Sequence, residues 1–253
     1  MRENEVRKLL AKGETVINGW LSIGNSFSAE VMAAEAFDSV TVDTQHGMSD
    51  IQSAIEMLQA ISSRAPTPMA RVNWNDPAPI MKLLDAGAYG IICPMINNRE
   101  ECERFVQACR YPPNGYRSFG PARGLLYGGA DYYEHANATI FTMAMIETRD
   151  AMGKLDEIMA VEGLDGIYIG PSDLSIGLGH SPSLDPSAKE VLDAIDDVMI
   201  AAYKHNVCAG IHCSGGEGAK AWSEKGFRFC TLASDSRFMA AGAKAAIAVA
   251  RGK

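Results

Sequence analysis

The sequence is short of several things, and each shortage excludes a class of function. No run of about 20 apolar residues occurs, so no segment reads as a membrane-spanning helix. Lys and Arg total 23 against 31 Asp and Glu, a formal net charge of −8. Without a basic cluster, the chain is not expected to bind nucleic acid or an anionic membrane surface. The opening MRENEVRKLLAKGE lacks the apolar core of a secretion signal and reads as a short amphipathic helix. Six cysteines are present but none forms a CxxC pair. Cys102 and Cys109 fall on one predicted helix about two turns apart, roughly 10 Å by helix rise, which is too far to bridge. Free thiols fit a reducing compartment, which points to the cytoplasm.

Two chemistries lack their essential residue. No glycine fingerprint follows the first predicted strand, which argues against a dinucleotide-binding open sheet. No lysine stands at the end of a predicted strand. All ten, among them Lys82, Lys154, Lys204 and Lys244, fall in predicted helices, in the turns that end them or at the C-terminus. A Schiff-base mechanism is therefore not expected. The glycines of CSGGEGAK (213–220) do not match the spacing of a phosphate-binding P-loop, and a tight turn into a helix explains them equally well.

What the chain does contain is one rhythm from end to end, without linker or low-complexity stretch. Its 253 residues, 47% of them hydrophobic, suit a single domain spanning 1–253. Strand-like runs (VINGWLSIG, SVTVD, PMARV, GIICPM, TIFTMAMIE, GIYIG, CAGIHC and FRFCTLA) alternate with helical patterns such as SDIQSAIEMLQAIS and TRDAMGKLDEIMAV. Eight strands each followed by a helix predict an α/β fold, a (β/α)8 TIM barrel, with an open doubly wound sheet as the rival. One connection breaks the rhythm. The segment from Tyr111 to Gly129, rich in Gly and Pro and carrying Arg117 and Arg123, is too long for a simple turn and reads as a functional or interfacial loop.

In a barrel of this kind the active site lies at the carboxyl ends of the strands. Asp43 and His46 follow the second strand, Arg71 ends the third, Glu147 follows the fifth and Asp173 the sixth. Two acids without an accompanying His or Cys pair form a hard oxygen site of the kind that holds Mg2+ or Mn2+ through one or two carboxylates. An arginine can pair with a substrate carboxylate or a growing oxyanion, and a histidine can move a proton near neutral pH. Taken singly, Glu147 or Asp173 could be a helix cap, Arg71 an ion-pair partner and His46 a hydrogen-bonded loop residue. Shared placement at one rim favours a metal-stabilised enolate.

These residues sit in motifs that carry a resemblance. DTQHG (43–47), ARVNWNDP (70–77), LLDAGAYGIICPM (83–95), RYPPNGYRSFGPAR (110–123), IETRDAM (146–152) and GLDGIYIGPSDLS (163–175) resemble the HpcH/HpaI aldolase family, in order and over nearly the whole chain. The resemblance implies a barrel of the phosphoenolpyruvate/pyruvate-domain type and reversible aldol cleavage of a 4-hydroxy-2-oxo acid. The products would be pyruvate, or a related 2-oxo acid, and an aldehyde. It implies a divalent metal (Mg2+, Mn2+ or Co2+) on Glu147 and Asp173, His46 as general base and Arg71 stabilising the enolate. Asp85 would raise the basicity of the histidine, if necessary from another subunit, and the Ser172 and Asp173 amides would hold the pyruvate carboxylate. Assembly as a homotrimer or homohexamer is implied as well. Two positions depart from the family pattern: Gln45 stands where many members have Glu, and Met145 where many have a substrate-touching Gln. Two other readings remain open: a coenzyme A thioester C–C lyase of the same superfamily, and a non-catalytic, metal-stabilised oligomeric binding protein. Arg123 is expected to meet the far end of an acidic aldehyde.

Overall fold

The structure is a computed structural model and describes residues 1–252. Eight short strands carry the fold: β1 (Val16–Leu21), β2 (Ser39–Asp43), β3 (Thr67–Arg71), β4 (Gly90–Cys93), β5 (Phe141–Ile146), β6 (Gly166–Ile169), β7 (Cys208–His212) and β8 (Phe229–Ser234). Each pairs in parallel with the next, and β8 returns to β1 to close the barrel. The expected (β/α)8 architecture is therefore what forms. Helix α1 (Glu5–Ala11) precedes β1, and α2 (Ser26–Ala33), α3 (Ile51–Ser62), α4 (Pro77–Asp85) and α5 (Arg99–Ala108) follow the first four strands in turn. Asn25, Asp50, Asp76 and Asn98 each accept a hydrogen bond from a first-turn amide of these helices, so each of these four βα connections ends in a side-chain cap.

Two regions differ from the simple alternation. The long connection is not a bare loop: it holds α6 (Ala122–Gly128) and runs into α7 (Tyr132–Thr139). Glycines at 124 and 128 hid this helix from a propensity reading. They are there because a Cβ at either position would stand 3.2 and 2.6 Å from the Tyr132 ring. The segment after β5, which reads as one helix, breaks at Gly153 into α8 (Arg149–Met152) and α9 (Leu155–Met159). Beyond these lie α10 (Pro171–Gly177), α11 (Lys189–Lys204), α12 (Gly216–Lys225) and α13 (Asp235–Ala250).

Side chains alternate across each strand, and this alternation sorts them into two cores. Val40, Val42, Ile91, Ile167 and Ile211 face outward and pack under the helices. Trp20, Met69, Ile92, Met143, Met145, Tyr168 and Phe229 fill the interior. Gly90 and Gly210 make room for the interior methionines, since a Cβ there would lie 2.5 Å from Met69 and 2.7 Å from Met143. The inward parity of Met143 and Met145 carries one step further to Glu147, which therefore emerges into the mouth rather than into solvent.

Candidate active site

A cavity of about 390 Å³ opens at the carboxyl ends of the strands, lined by Asp43, His46, Arg71, Met145, Ser172 and Asp173 together with Trp20, Ser22, Tyr168, Gly170, Leu184, His212, Ser234, Ser236 and Arg237. Most residues expected at the rim are thus brought together. Asp43 and Arg71, opposite each other on β2 and β3, form a two-pronged ion pair, with Nε to Oδ1 at 2.8 Å and Nη2 to Oδ2 at 2.6 Å. Trp20 Nε1 also donates to Asp43, at 3.2 Å, and the guanidinium of Arg71 lies 4.8 Å above the Trp20 ring. Burial pushes the Asp43 carboxyl up, but the Arg71 ion pair and the amides of Gln45 and His46 outweigh it and hold the group below its ordinary value.

The same carboxylate shapes the loop that presents the histidine. The N–H groups of Gln45 and His46 donate to Asp43 Oδ1 at 3.0 and 3.3 Å. Gly47 closes the turn, where a Cβ would stand 2.2 Å from the Asp43 carbonyl oxygen. His46 is exposed at the rim and Gln45 is half-buried behind it, its side-chain oxygen without a partner.

Across the mouth, Glu147 and Asp173 approach one another. A point built as the Cβ of Gly170 would lie 3.2 Å from Glu147 Oε2 and 3.7 Å from Asp173 Oδ2. Glu147 is buried, and its other oxygen accepts the Met95 N–H at 2.8 Å. Burial pushes the Glu147 carboxyl up to about 7; the Met95 amide opposes this, the Asp173 charge adds to it and Arg71 opposes it again. The nearest guanidinium, that of Arg71, is already held by Asp43. Two acids drawn to one point, one of them deep and one oxygen already satisfied, are suited to a hard divalent cation. Among the described residues, no group of three or more His, Cys, Asp or Glu gathers at metal-ligand spacing. A cation there would draw its remaining ligands from water and substrate, as Mg2+ commonly does.

The support behind Glu147 leaves no mark in the sequence. Met95 adopts a left-handed backbone with φ of 57°, uncommon outside glycine and often found at functional sites. That turn aims its amide at the carboxylate. Asn97 holds it there: its Nδ2 donates to the Met95 carbonyl at 3.0 Å, and its Oδ1 accepts from Thr148, the residue after Glu147. Also missed were Trp20 and Tyr168, which read as core aromatics, while His212 reads as a polar group at the end of the seventh strand without a role. Their inward parity with Asn18, Thr231 and Gly210 was the available signal.

Asp85 and Arg123 lie elsewhere. Asp85 is the last residue of α4 and accepts from the buried Arg117 at 2.8 Å, while Arg123 Nη1 donates to the Ala86 carbonyl at 2.6 Å. The end of α4 leads into the start of β4, at the amino-terminal end of the barrel. Neither residue lines the cavity of its own chain.

Comparisons with known proteins agree with this fold. The family described as HpcH/HpaI aldolase/citrate lyase matches residues 17–241. A hydroxypyruvate/pyruvate aldolase of Rhizorhabdus wittichii is 42% identical over 248 residues, covering 98% of this chain and 99% of that protein. A 4-hydroxy-2-oxo-heptane-1,7-dioate aldolase of Salmonella dublin is 36% identical over 246 residues, 96% of this chain and 93% of that one. The crystal structure of an HpcH/HpaI aldolase/citrate lyase family protein from Burkholderia cenocepacia J2315 superposes with a TM-score of 0.92 at 27% identity, covering 98% and 99% of the two chains. The chain belongs to the HpcH/HpaI aldolase/citrate lyase family.

Proposed function

We propose that this chain is a carbon–carbon lyase, a divalent-metal-dependent aldolase. It cleaves a 4-hydroxy-2-oxo acid reversibly to pyruvate, or a related 2-oxo acid, and an aldehyde. The observation that carries the reading is the convergence of Glu147 and Asp173 on one point beside the Asp43–Arg71 ion pair. Glu147 Oε2 and Asp173 Oδ2 would hold the cation. A bound Mg2+, Mn2+ or Co2+ would polarise the substrate keto oxygen and offset the negative charge that grows on it.

The chain's own groups do the rest. The amides of Ser172 and Asp173 stand in the first turn of α10, where no intrahelical acceptor exists, and hold the 2-oxo acid carboxylate. Arg71, with Nε and Nη2 fixed on Asp43, presents Nη1 to the mouth and stabilises the enolate oxygen. Met145 forms the apolar wall beside it, its sulfur 4.0 Å from Arg71 Nη1. In cleavage His46 takes the C4 hydroxyl proton, the C3–C4 bond breaks, the aldehyde leaves and the enolate is protonated at C3. In synthesis the same steps reverse.

Exhaustive chelation, checked by elemental analysis, should abolish turnover, and Mg2+, Mn2+ or Co2+ should restore it. Glu147→Ala should lose metal while the barrel stays folded. Full activity in metal-free protein rejects the metal assignment.

We further propose a homo-oligomer, trimeric or hexameric. Helix α13 is exposed along almost its whole length, yet Phe238, Met239, Ile247 and Val249 are apolar, with Val249 79% exposed. A helix apolar on its outer face is suited to a neighbouring chain. In such an assembly Asp85 and Arg123, remote from their own mouth, serve the histidine and the aldehyde of an adjacent subunit. Light scattering tests the assembly, and a fully active monomer contradicts it.

A further inference from the structure

A line of buried polar side chains crosses the barrel interior beneath the cavity, and its hydrogen bonds run in one direction. Asn18 starts it. Its Oδ1 accepts from the hydroxyls of Ser39 at 2.8 Å and Thr41 at 3.0 Å, which turns the carbonyl side of the amide toward β2. The NH2 side consequently faces β8, where Nδ2 donates to Thr231 Oγ1 at 3.0 Å. Thr231 stands beside the Tyr168 phenol, whose hydroxyl is hydrogen-bonded to His212. Burial holds the Tyr168 phenol well above its usual value, so it keeps its proton. That proton has one place left to go. The Tyr168 hydroxyl lies 2.9 Å from His212 Nδ1, and as the donor it makes Nδ1 the acceptor.

The tautomer of His212 is thereby set, with the hydrogen on Nε2. The imidazole meets Trp20 edge to face at 5.1 Å and lines the cavity, with Nε2 the ring nitrogen that Tyr168 leaves free. Arg71 and Arg237 stand near enough to disfavour a third positive charge. His212 is on β7, past the metal-binding acids of β5 and β6, and beside Ser234, Ser236 and Arg237 at the end of β8. With the 2-oxo acid placed between Arg71 and the Glu147–Asp173 pair, this wall belongs to the part of the cavity left for the aldehyde half of the substrate.

We propose that His212 is a specificity-determining residue, a fixed neutral Nε2–H donor that reads an oxygen on the aldehyde half of the substrate. The favoured class is the hydroxylated aldehyde, in preference to alkyl aldehydes of the same size. This rests on the aldol reading of the site. A buried donor left without an acceptor disfavours the alkyl analogue, so the discrimination comes from both substrates.

The test compares kcat/KM for the addition of pyruvate to glycolaldehyde and to propanal, which have the same number of heavy atoms. Taking the ratio within each variant cancels any general loss of activity. The wild type should prefer glycolaldehyde, His212→Phe should lower that preference about tenfold, and His212→Gln, which retains a donor, should recover most of it. Imidazole 15N spectra at neutral pH should show the proton on Nε2 in the wild type and a tautomer mixture in Tyr168→Phe. An unchanged ratio in His212→Phe overturns the proposal, as does a wild-type His212 protonated on Nδ1. Deuterium exchange into pyruvate by the wild type distinguishes the failures: exchange with an unchanged ratio removes the role of His212 alone, and no exchange removes the aldol reading with it.

Discussion

Asp43 holds Arg71 by two hydrogen bonds from neighbouring strands, Nε to Oδ1 at 2.8 Å and Nη2 to Oδ2 at 2.6 Å. The same carboxylate receives the amides of Gln45 and His46. One acid therefore orients both the guanidinium of Arg71 and the loop that carries His46. The pair is buried, so its two halves stand or fall together.

Asp43→Asn should leave Arg71 charged and without its counterion. The expected cost is about 3–5 kcal/mol of folding stability, read by denaturant titration. Because Asp43 is held below its ordinary value, its contribution is present above the normal carboxylate range and fades as pH falls through the depressed folded-state value. The wild-type advantage over Asp43→Asn should accordingly shrink in acid. A variant as stable as the wild type at pH 7 would show that the ion pair contributes nothing net.

Arg71 and His46 should separate when measured by different readouts. Arg71→Ala should lower cleavage and pyruvate enolisation together by about 100-fold or more, because the enolate is common to both. His46→Ala should lower turnover by about 100-fold or more while metal affinity hardly changes. Stoichiometric loss of metal in the His46 variant would make that residue a ligand instead of a base.

Asn97 should matter to the metal without touching it. It fastens the Met95 turn whose amide occupies Glu147 Oε1, leaving Oε2 to the cation. Asn97→Ala should weaken Mn2+ binding about tenfold, measured by calorimetry on the chelated protein. Affinity equal to the wild type would show that the Met95 turn holds its shape unaided.

The barrel and the placement of the candidate residues at its rim were legible because both write themselves into short patterns. Glu147 and Asp173 each follow an apolar run, and the chemistry of Arg71 and His46 shows in their residue types. Trp20 and Tyr168 were not legible as cavity-lining residues, because an aromatic in a strand reads as core until the closed barrel turns it toward the mouth, and His212, at the end of the seventh predicted strand, carried no assigned role. Met95 carries no sequence signal for a left-handed turn. Asp85 has the right chemistry, but only the fold reveals that the end of α4 points away from its own cavity.

His212 should leave a trace in acid stability. Burial pushes it down to about 4, with Arg71 and Arg237 acting the same way and Asp43 opposing them. The unfolded chain binds this proton at higher pH than the fold does, so stability is lost as pH falls from about 6.5 toward 4. Relative to His212→Phe, the wild type should lose about 2 kcal/mol between pH 7 and pH 5. Parallel stability profiles would show that the imidazole titrates normally.

Subunit sharing can be tested by complementation. If Asp85 serves the histidine of a neighbour, Asp85→Ala and His46→Ala, each nearly inactive alone, should regain part of the activity when refolded together. Mixtures no more active than their components would confine each site to one chain.

The most direct measurement is deuterium exchange into the methyl group of pyruvate, followed by proton NMR with and without Mn2+. It isolates enolate formation and needs no knowledge of the aldehyde. The account predicts exchange that requires the divalent cation and is lost in Arg71→Ala and Glu147→Ala. Metal-replete wild-type protein that leaves the methyl protons unexchanged would contradict it.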